Sequence, residues 1–216
     1  AKTDPDAGAH GISTFLVEAD REGLSHGRHE DKMGLRTSNT CDLTLNDVRV
    51  PADHLVGEEG NGFRIAMSGL DISRPFMATI AVGMMQRAPD EAAVYALQRE
   101  QFGKPIFEFQ MVQDMLARMS AKVVACRCLV QHTMRLVDEE QDVQKDGAIT
   151  KQLVTDMLQE VVSDAVQVMG GNGYTKEYPV EKIMRDAKVF QIMEGTNQIQ
   201  SIVIARRLRK EYSARL

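Results

Sequence analysis

The spacing of apolar residues changes period about a quarter of the way along the chain. Residues 12–17 are β-like, Cys41, Leu43 and Leu45 alternate with polar residues, and Val48 and Val50 follow a break of phase at Asn46-Asp47. Pro51 closes this region. Strands this few leave their own edges unsatisfied, because a stable sheet needs more strands or a covering layer. Residues 1–55 therefore predict an incomplete antiparallel β domain.

From Gly60 onward the period is helical. A first stretch, 61–100, contains Pro75 and Pro89, each expected to open, kink or interrupt a helix, and Gly103 and Pro105 mark a stop. The spacing then predicts a helix over 108–140, with Val112, Met115, Met119, Val123, Cys126, Val130, Met134 and Val137 on one buried stripe. A third helix follows Asp146, a plausible N-cap, with Ile149, Leu153, Met157, Val161, Ala165 and Val168 on one face. Gly170-Gly171-Asn172-Gly173 ends it, and shorter helices over 177–187 and 195–213 complete the set. Short connections predict an antiparallel bundle. The fold class is α+β, mainly α: a partial antiparallel β domain over 1–55, then an antiparallel four-helix-bundle domain over 56–216.

Composition narrows the partners. Twenty-six Lys plus Arg against 31 Asp plus Glu give a net charge of -5, so nothing in the overall charge draws the chain to nucleic acid or anionic lipid, and an anionic ligand needs a local site. The odd count of 3 cysteines, Cys41, Cys126 and Cys128, implies no disulfide framework and points to a reducing compartment. The histidines lack the spacing of a metal site, so none is expected. No apolar run is long enough for a membrane span, and AKTDPDAGAH at the start has the character of a polar loop rather than a targeting peptide. The 13 methionines suit a pliable helical core.

Three stretches could carry chemistry. Glu194 follows the mostly apolar Val189-Phe190-Gln191-Ile192-Met193 and precedes Gly195. Partial desolvation there suits a base acting on a carbon acid, whereas a place in the first turn of the last helix would make Glu194 only a partner of the helix dipole. Spacing leaves both readings open. The glycines at 170–173 could present backbone N–H groups to a phosphate or serve as a plain helix cap, and Gly60-Asn61-Gly62 does not complete a dinucleotide fingerprint, because Ile65 stands at its last glycine. Arg99 and Lys104 flank Phe102-Gly103, where two cations could grip a pyrophosphate beside a ring, or merely answer the end of a helix. Arg206, Arg207, Arg209 and Lys210 read as a solvated face.

Five segments, taken in order, resemble the acyl-CoA dehydrogenase family. They are Gly69-Leu70-Asp71-Ile72-Ser73-Arg74-Pro75, Gln98-Arg99-Glu100-Gln101-Phe102-Gly103-Lys104, Gln167-Val168-Met169-Gly170-Gly171-Asn172-Gly173, Glu177-Tyr178-Pro179-Val180-Glu181-Lys182 with Arg185-Asp186, and Glu194-Gly195-Thr196-Asn197-Gln198-Ile199-Gln200. The resemblance implies the later strands of a middle β domain followed by a C-terminal helical domain, with an N-terminal helical domain and the first half of the β domain lying outside this chain. It implies a homotetramer, a dimer of dimers, that binds FAD at subunit interfaces.

Carried over residue by residue, the resemblance makes Glu194 the base that takes the α proton of an acyl-CoA thioester while the β hydrogen leaves as hydride to FAD, giving a trans-2-enoyl-CoA. Asp71, Ile72, Ser73, Arg74 and Gly195 would line the substrate side, Arg74 serving equally as a buried structural cation. Arg99, Gln101, Phe102 and Gln110 would approach the pyrophosphate and adenosine of a neighbouring subunit's FAD, Gln167, Val168, Met169, Gly170 and Gly171 its adenine end, and Thr196, Asn197 and Gln198 its phosphate and ribityl region. Some members of the family carry the base at the position of Ser73, which cannot act as one, and this favours Glu194. Met193 stands where many relatives have an aromatic residue, which leaves the acyl-chain preference open. The implied electron acceptor is an electron-transferring flavoprotein, with an acyl-CoA oxidase or a non-catalytic helical assembly module as alternatives. The implied compartment is the bacterial cytoplasm or the mitochondrial matrix.

Overall fold

The computed structural model describes residues 1–215, which form two compact units: Ala1–Lys32 with Arg36–Leu70, and Met33–Leu35 with the chain from Asp71 onward. In the first unit β1 (Thr14–Phe15) pairs antiparallel with β4 (Leu55–Val56), and β2 (Leu24–His26) pairs antiparallel with β3 (Leu43–Leu45). The expected strand at 12–17 shrinks to β1, and Val48 and Val50 lie in no strand. Strands β2 and β4 were not expected, being too short to show an alternation. Leu43 and Leu45 are each 62% exposed, so within this unit no layer covers the face that their spacing prepares.

Helix α1 (Gly62–Gln98) runs through Pro75 and Pro89, so neither proline opens or interrupts it. Each proline removes one amide and frees the carbonyl four residues earlier, a local loss that packing along a long helix can offset. At Pro75 the freed carbonyl is that of Asp71. A Cβ on Gly147 would lie 3.3 Å from that oxygen and 3.4 Å from Pro75 Cδ, so a residue without a side chain lets the third helix lie against the proline. Ala78, Ala81, Val82, Met85, Ala88, Ala92 and Ala96 are buried at helical spacing, and their small size permits close approach.

A hairpin that the sequence did not reveal follows, β5 (Glu100–Gln101) paired with β6 (Lys104–Pro105) across Phe102 and Gly103, both at positive φ. Helix α2 (Gln110–Asp138) buries Leu116, Met119, Val123, Cys126 and Val130, close to the expected stripe. It runs antiparallel to α3 (Gln144–Met169). As numbers rise on α2 they fall on α3, in the pairs Arg118–Asp164 (4.0 Å), Lys122–Glu160 (2.5 Å), Cys126–Met157 (3.3 Å) and Thr133–Thr150 (2.6 Å).

Two expectations for α3 need correction. It begins at Gln144 with Val143 at the cap, so Asp146 is a first-turn residue and not the N-cap; Asp142 Oδ1 instead accepts the Gln144 N–H at 3.2 Å. The expected face holds only in the second half. In the first half the buried residues are Ala148, Thr150, Lys151, Val154, Thr155 and Leu158, while Leu153 is 42% exposed. Helix α3 packs on α2, on α4 (Pro179–Ala187) and on α5 (Asn197–Ser213), so its buried arc is wide and includes polar residues that a hydropathy count discards.

Helix α5 is antiparallel to α3, with Asn197 bonded to Lys151, Ser201 to Gln152, Arg207 to Gln144 and Glu211 to Lys145. Proline at its start suits α4, where the missing amide would have no helical partner. Residues Met33–Leu35 join this unit because Leu35 N–H donates to Asp186 Oδ1 at 2.7 Å and the Arg185 guanidinium donates to the Met33 carbonyl at 2.9 Å. The architecture is mainly helical, with small antiparallel sheets and an antiparallel bundle.

The corrected phase of α3 is testable by paired substitutions. Leu158→Ala should cost about 2–5 kcal/mol because it opens a cavity at a fully buried position, and Leu153→Ala about 0.5 kcal/mol or less, both read from denaturant unfolding midpoints.

Candidate active site

The chain between α4 and α5 makes a 3-10 turn over Lys188–Gln191 and then a tight bend in which Glu194 (φ 56°) and Gly195 (φ 83°) both adopt left-handed backbone conformations. Thr196 is the N-cap of α5, its Oγ1 accepting the Ile199 N–H at 3.3 Å. Glu194 therefore precedes the helix rather than sitting in its first turn, and the dipole reading loses its geometry. A residue with a side chain in this conformation costs on the order of 1 kcal/mol and persists only where its surroundings enforce it.

The surroundings do so through donors aimed at the bend. Gln200 Nε2 donates to the Glu194 carbonyl (3.2 Å) and the Gly195 carbonyl (3.0 Å), and Lys151 Nζ donates to the same Gly195 carbonyl (2.8 Å). The backbone angle favours glycine at 195, and a Cβ there would lie 2.7 Å from Gln200 Nε2, so the amide that donates to the bend would have to move.

The Glu194 carboxylate meets α1. Ser73 Oγ donates to Glu194 Oε2 at 2.6 Å, which brings the two alternative base positions of the family resemblance to one point in space. Of the other residues expected around the substrate, Arg74 is buried and donates through Nη1 to Asp71 Oδ1 at 2.9 Å, while Ile72 is exposed. Arg74 and Asp71 thus pair next to Ser73 and Glu194, although the buried Arg74 Nε has no hydrogen-bond partner.

Lys151 and Gln200 were not singled out from the sequence, and both are 0% exposed. Lys151 Nζ also donates to Asn197 Oδ1 at 2.7 Å. Asn197 Nδ2 in turn donates to Asp156 Oδ1 (2.7 Å) and Thr155 Oγ1 (2.9 Å), and Gln191 Nε2 donates to Asp156 Oδ1 (2.6 Å). Burial pushes the Lys151 ammonium down to about 8; Asp156 opposes that shift, nearby Arg74 adds to it, and Glu194 opposes it. Its place at helical spacing between Ala148 and Val154-Thr155 was the available signal, a weak one because lysine ordinarily faces water.

The residues expected near FAD fall into separate groups. Arg99, Gln101, Val168, Met169, Gly170 and Gly171 line one hollow of about 430 Å³ together with Tyr95 and Asn172. Thr196, Asn197 and Gln198 line another of about 330 Å³, with Asp156 and Lys188. The Asn197 amide is committed inward, so a ligand there would meet its backbone and its neighbours. Phe102 is 94% exposed at the hairpin tip, edge-on to Phe109. Gln110 and Gln167 are exposed and lie outside the lining of both hollows. A further hollow of about 760 Å³ is bounded by Glu18, Arg21, Asp47 and Arg49 of the first unit, and none of the residues expected near FAD lines it.

The donors suit a nucleotide cofactor. A guanidinium, a side-chain amide and a glycine backbone stand around open space, where a Cβ on Gly170 or Gly171 would meet nothing within 4 Å, and an exposed ring and the capped start of α5 lie on the same unit. Among the described residues no cluster of side chains could hold a metal ion, and no helix is long and apolar enough to cross a membrane.

The helical unit is an antiparallel bundle that holds one carboxylate on a left-handed bend, with two hollows lined by other residues of the same unit. Residues 60–209 match the family model described as acyl-CoA dehydrogenase, C-terminal domain, and the chain belongs to that family. It is 47% identical over 209 residues to the Mycobacterium leprae protein named "Probable acyl-CoA dehydrogenase fadE25", covering 96% of this chain and 54% of that protein. Among solved structures it is similar to butyryl-CoA dehydrogenase from Megasphaera elsdenii (TM-score 0.94, 44% identity, 96% of this chain and 54% of that one). It is also similar to a chain in the structure of the electron transferring flavoprotein of Acidaminococcus fermentans (TM-score 0.94, 45% identity, 96% and 55%). A structure of PigA with FAD and proline is similar at TM-score 0.91 and 31% identity, over 96% of this chain and 54% of that one. The chain spans about half the length of the curated relatives it matches.

The bend itself gives a test. Gly195→Ala should destabilise the protein by about 1–3 kcal/mol, since the added Cβ meets both an unfavourable φ and the Gln200 amide; thermal unfolding would show it as a lowered midpoint.

Proposed function

We propose that this chain provides the base and part of the FAD site of an enzyme that desaturates an acyl-CoA thioester between its α and β carbons. The observation that carries the reading is the Glu194 carboxylate, held by Ser73 at 2.6 Å on a left-handed bend that buried donors lock. A base that must take a proton from carbon gains from a fixed direction, because misalignment by about 1 Å costs on the order of 100-fold in rate.

In this reading Ser73 holds Oε2 of Glu194, and Oε1 receives the α proton. The Glu194 backbone N–H donates to the thioester carbonyl and stabilises enolate-like charge as it develops. Bound FAD supplies the acceptor for the β hydrogen, which leaves as hydride, so the thioester loses one proton and one hydride and becomes a trans-2-enoyl-CoA. Arg99 and Gln101, with the backbone at Gly170 and Gly171, would hold the pyrophosphate and adenine side of the cofactor, and Thr196 to Gln198 would meet it at the start of α5. Asp71 keeps the buried Arg74 neutralised beside the thioester.

An electron-transferring flavoprotein takes up the electrons, a partner supported by the likeness to a chain in the Acidaminococcus fermentans structure. The working form is a homotetramer that completes each FAD site, and the free cysteines suit a reducing compartment, bacterial cytoplasm or mitochondrial matrix.

The test uses the intact, FAD-loaded protein. Glu194→Gln should keep the yellow flavin yet bleach with acyl-CoA on the order of 1,000-fold more slowly, since folding survives while proton abstraction is lost. Bleaching at an undiminished rate would place the base elsewhere. Rapid oxygen uptake with no added acceptor would assign the chemistry to an oxidase.

A further inference from the structure

Lys151 is a fully buried cation that proton abstraction, as derived above, leaves without a task. Its ammonium donates to two neutral acceptors, the Gly195 carbonyl at 2.8 Å and Asn197 Oδ1 at 2.7 Å. Burying a charge is costly unless its contacts do something that a cheaper group could not. Here the two acceptors bracket Thr196, one closing the bend that carries Glu194 and the other opening α5. The charged groups that face Lys151 are Asp156 on its own helix, Arg74 from α1 and Glu194 from the bend; α5 contributes the uncharged Asn197.

We propose that Lys151 is a positioning residue, whose ammonium grips the Gly195 carbonyl and the Asn197 side chain and so fixes the direction in which the Glu194 carboxylate points. Gln200 donates to the same Gly195 carbonyl, but it is a neutral amide and also serves the Glu194 carbonyl. A charged donor forms the stronger bond, and Lys151 joins the bend to the body of α3. Without it the left-handed conformation at Glu194 loses one of the contacts that enforce it, and the carboxylate samples directions away from the substrate. The inference rests on Glu194 being the base.

The experiment compares the intact, FAD-loaded protein with its Lys151→Met and Glu194→Gln variants, measuring flavin bleaching by butyryl-CoA under single-turnover conditions. Lys151→Met should retain flavin and leave the half-saturating concentration of butyryl-CoA within about 3-fold, while the saturating rate falls on the order of 100-fold. A variant with a near-normal saturating rate, or with only its half-saturating concentration changed, overturns the proposal. Should Lys151→Met not accumulate in folded form, Lys151→Gln, which keeps a donor, is judged by the same two constants.

The unmodified protein gives a second reading that needs no variant. Lys151 carries its proton below a pKa that burial lowers to about 8, so the saturating rate should fall as pH rises through that value. A rate that stays flat from about pH 7 to about pH 9.5 overturns the proposal. Failure of the underlying reading looks different: Glu194→Gln would then bleach like the unmodified protein.

Discussion

Everything about the candidate site depends on a bend that does not want to exist. Glu194 and Gly195 take consecutive left-handed conformations, a geometry that an unconstrained chain would abandon. It is held from inside the bundle by Lys151 and Gln200, which converge on the carbonyls of the two residues, and from α1 by Ser73, which meets the carboxylate itself. The interactions are polar, buried and mutually dependent. Asp156, Asn197 and Thr155 satisfy one another while presenting Asn197 Oδ1 to the lysine. A network of this sort has value when complete and becomes a liability when one member is removed.

The bundle can be understood as the frame for that network. Helix α3 packs on α2, α4 and α5, so a residue in its first half reaches the start of α5 from within the protein. Small residues along α1 and the glycine at 147 bring the helices close, and because α1 continues through Pro75, Ser73 and Arg74 sit between Asp71 and Pro75, the two points at which α1 lies against Gly147. The polar residues of α3 that face inward, Thr150, Lys151 and Thr155, are spaced like core residues because they occupy core positions.

The sequence showed the outline well and the interior less well. Long apolar periodicity located α2 to within a few residues, because an amphipathic stripe is a direct imprint of a helix lying on a core. It failed for the first half of α3, where a wide buried arc contains Lys151 and two threonines, and the two prolines of α1 neither open nor interrupt that helix, a local penalty that tertiary packing can offset. The strands β2 and β4 and the hairpin at Phe102 are two or three residues long, too short for any period to register. Glu194 was legible as a candidate, but its backbone conformation was not. The acceptors that make Lys151 intelligible are contributed by residues more than forty positions away, a separation that no local pattern records.

The buried ammonium also ties the fold to the proton content of its solvent. In the folded protein Lys151 gives up its proton near pH 8, whereas in an unfolded chain it would keep it up to the ordinary value of 10.5. Between those values the unfolded state binds the extra proton, so for this group stability increases as pH rises, and protonation below about 8 is a standing burden on the fold. The alkaline side relieves that burden by discharging the cation that grips the bend. Thermal robustness and a well-aimed carboxylate thus have opposite preferences for acidity, and a variant selected only for heat resistance would be drawn toward replacing Lys151 with an apolar residue.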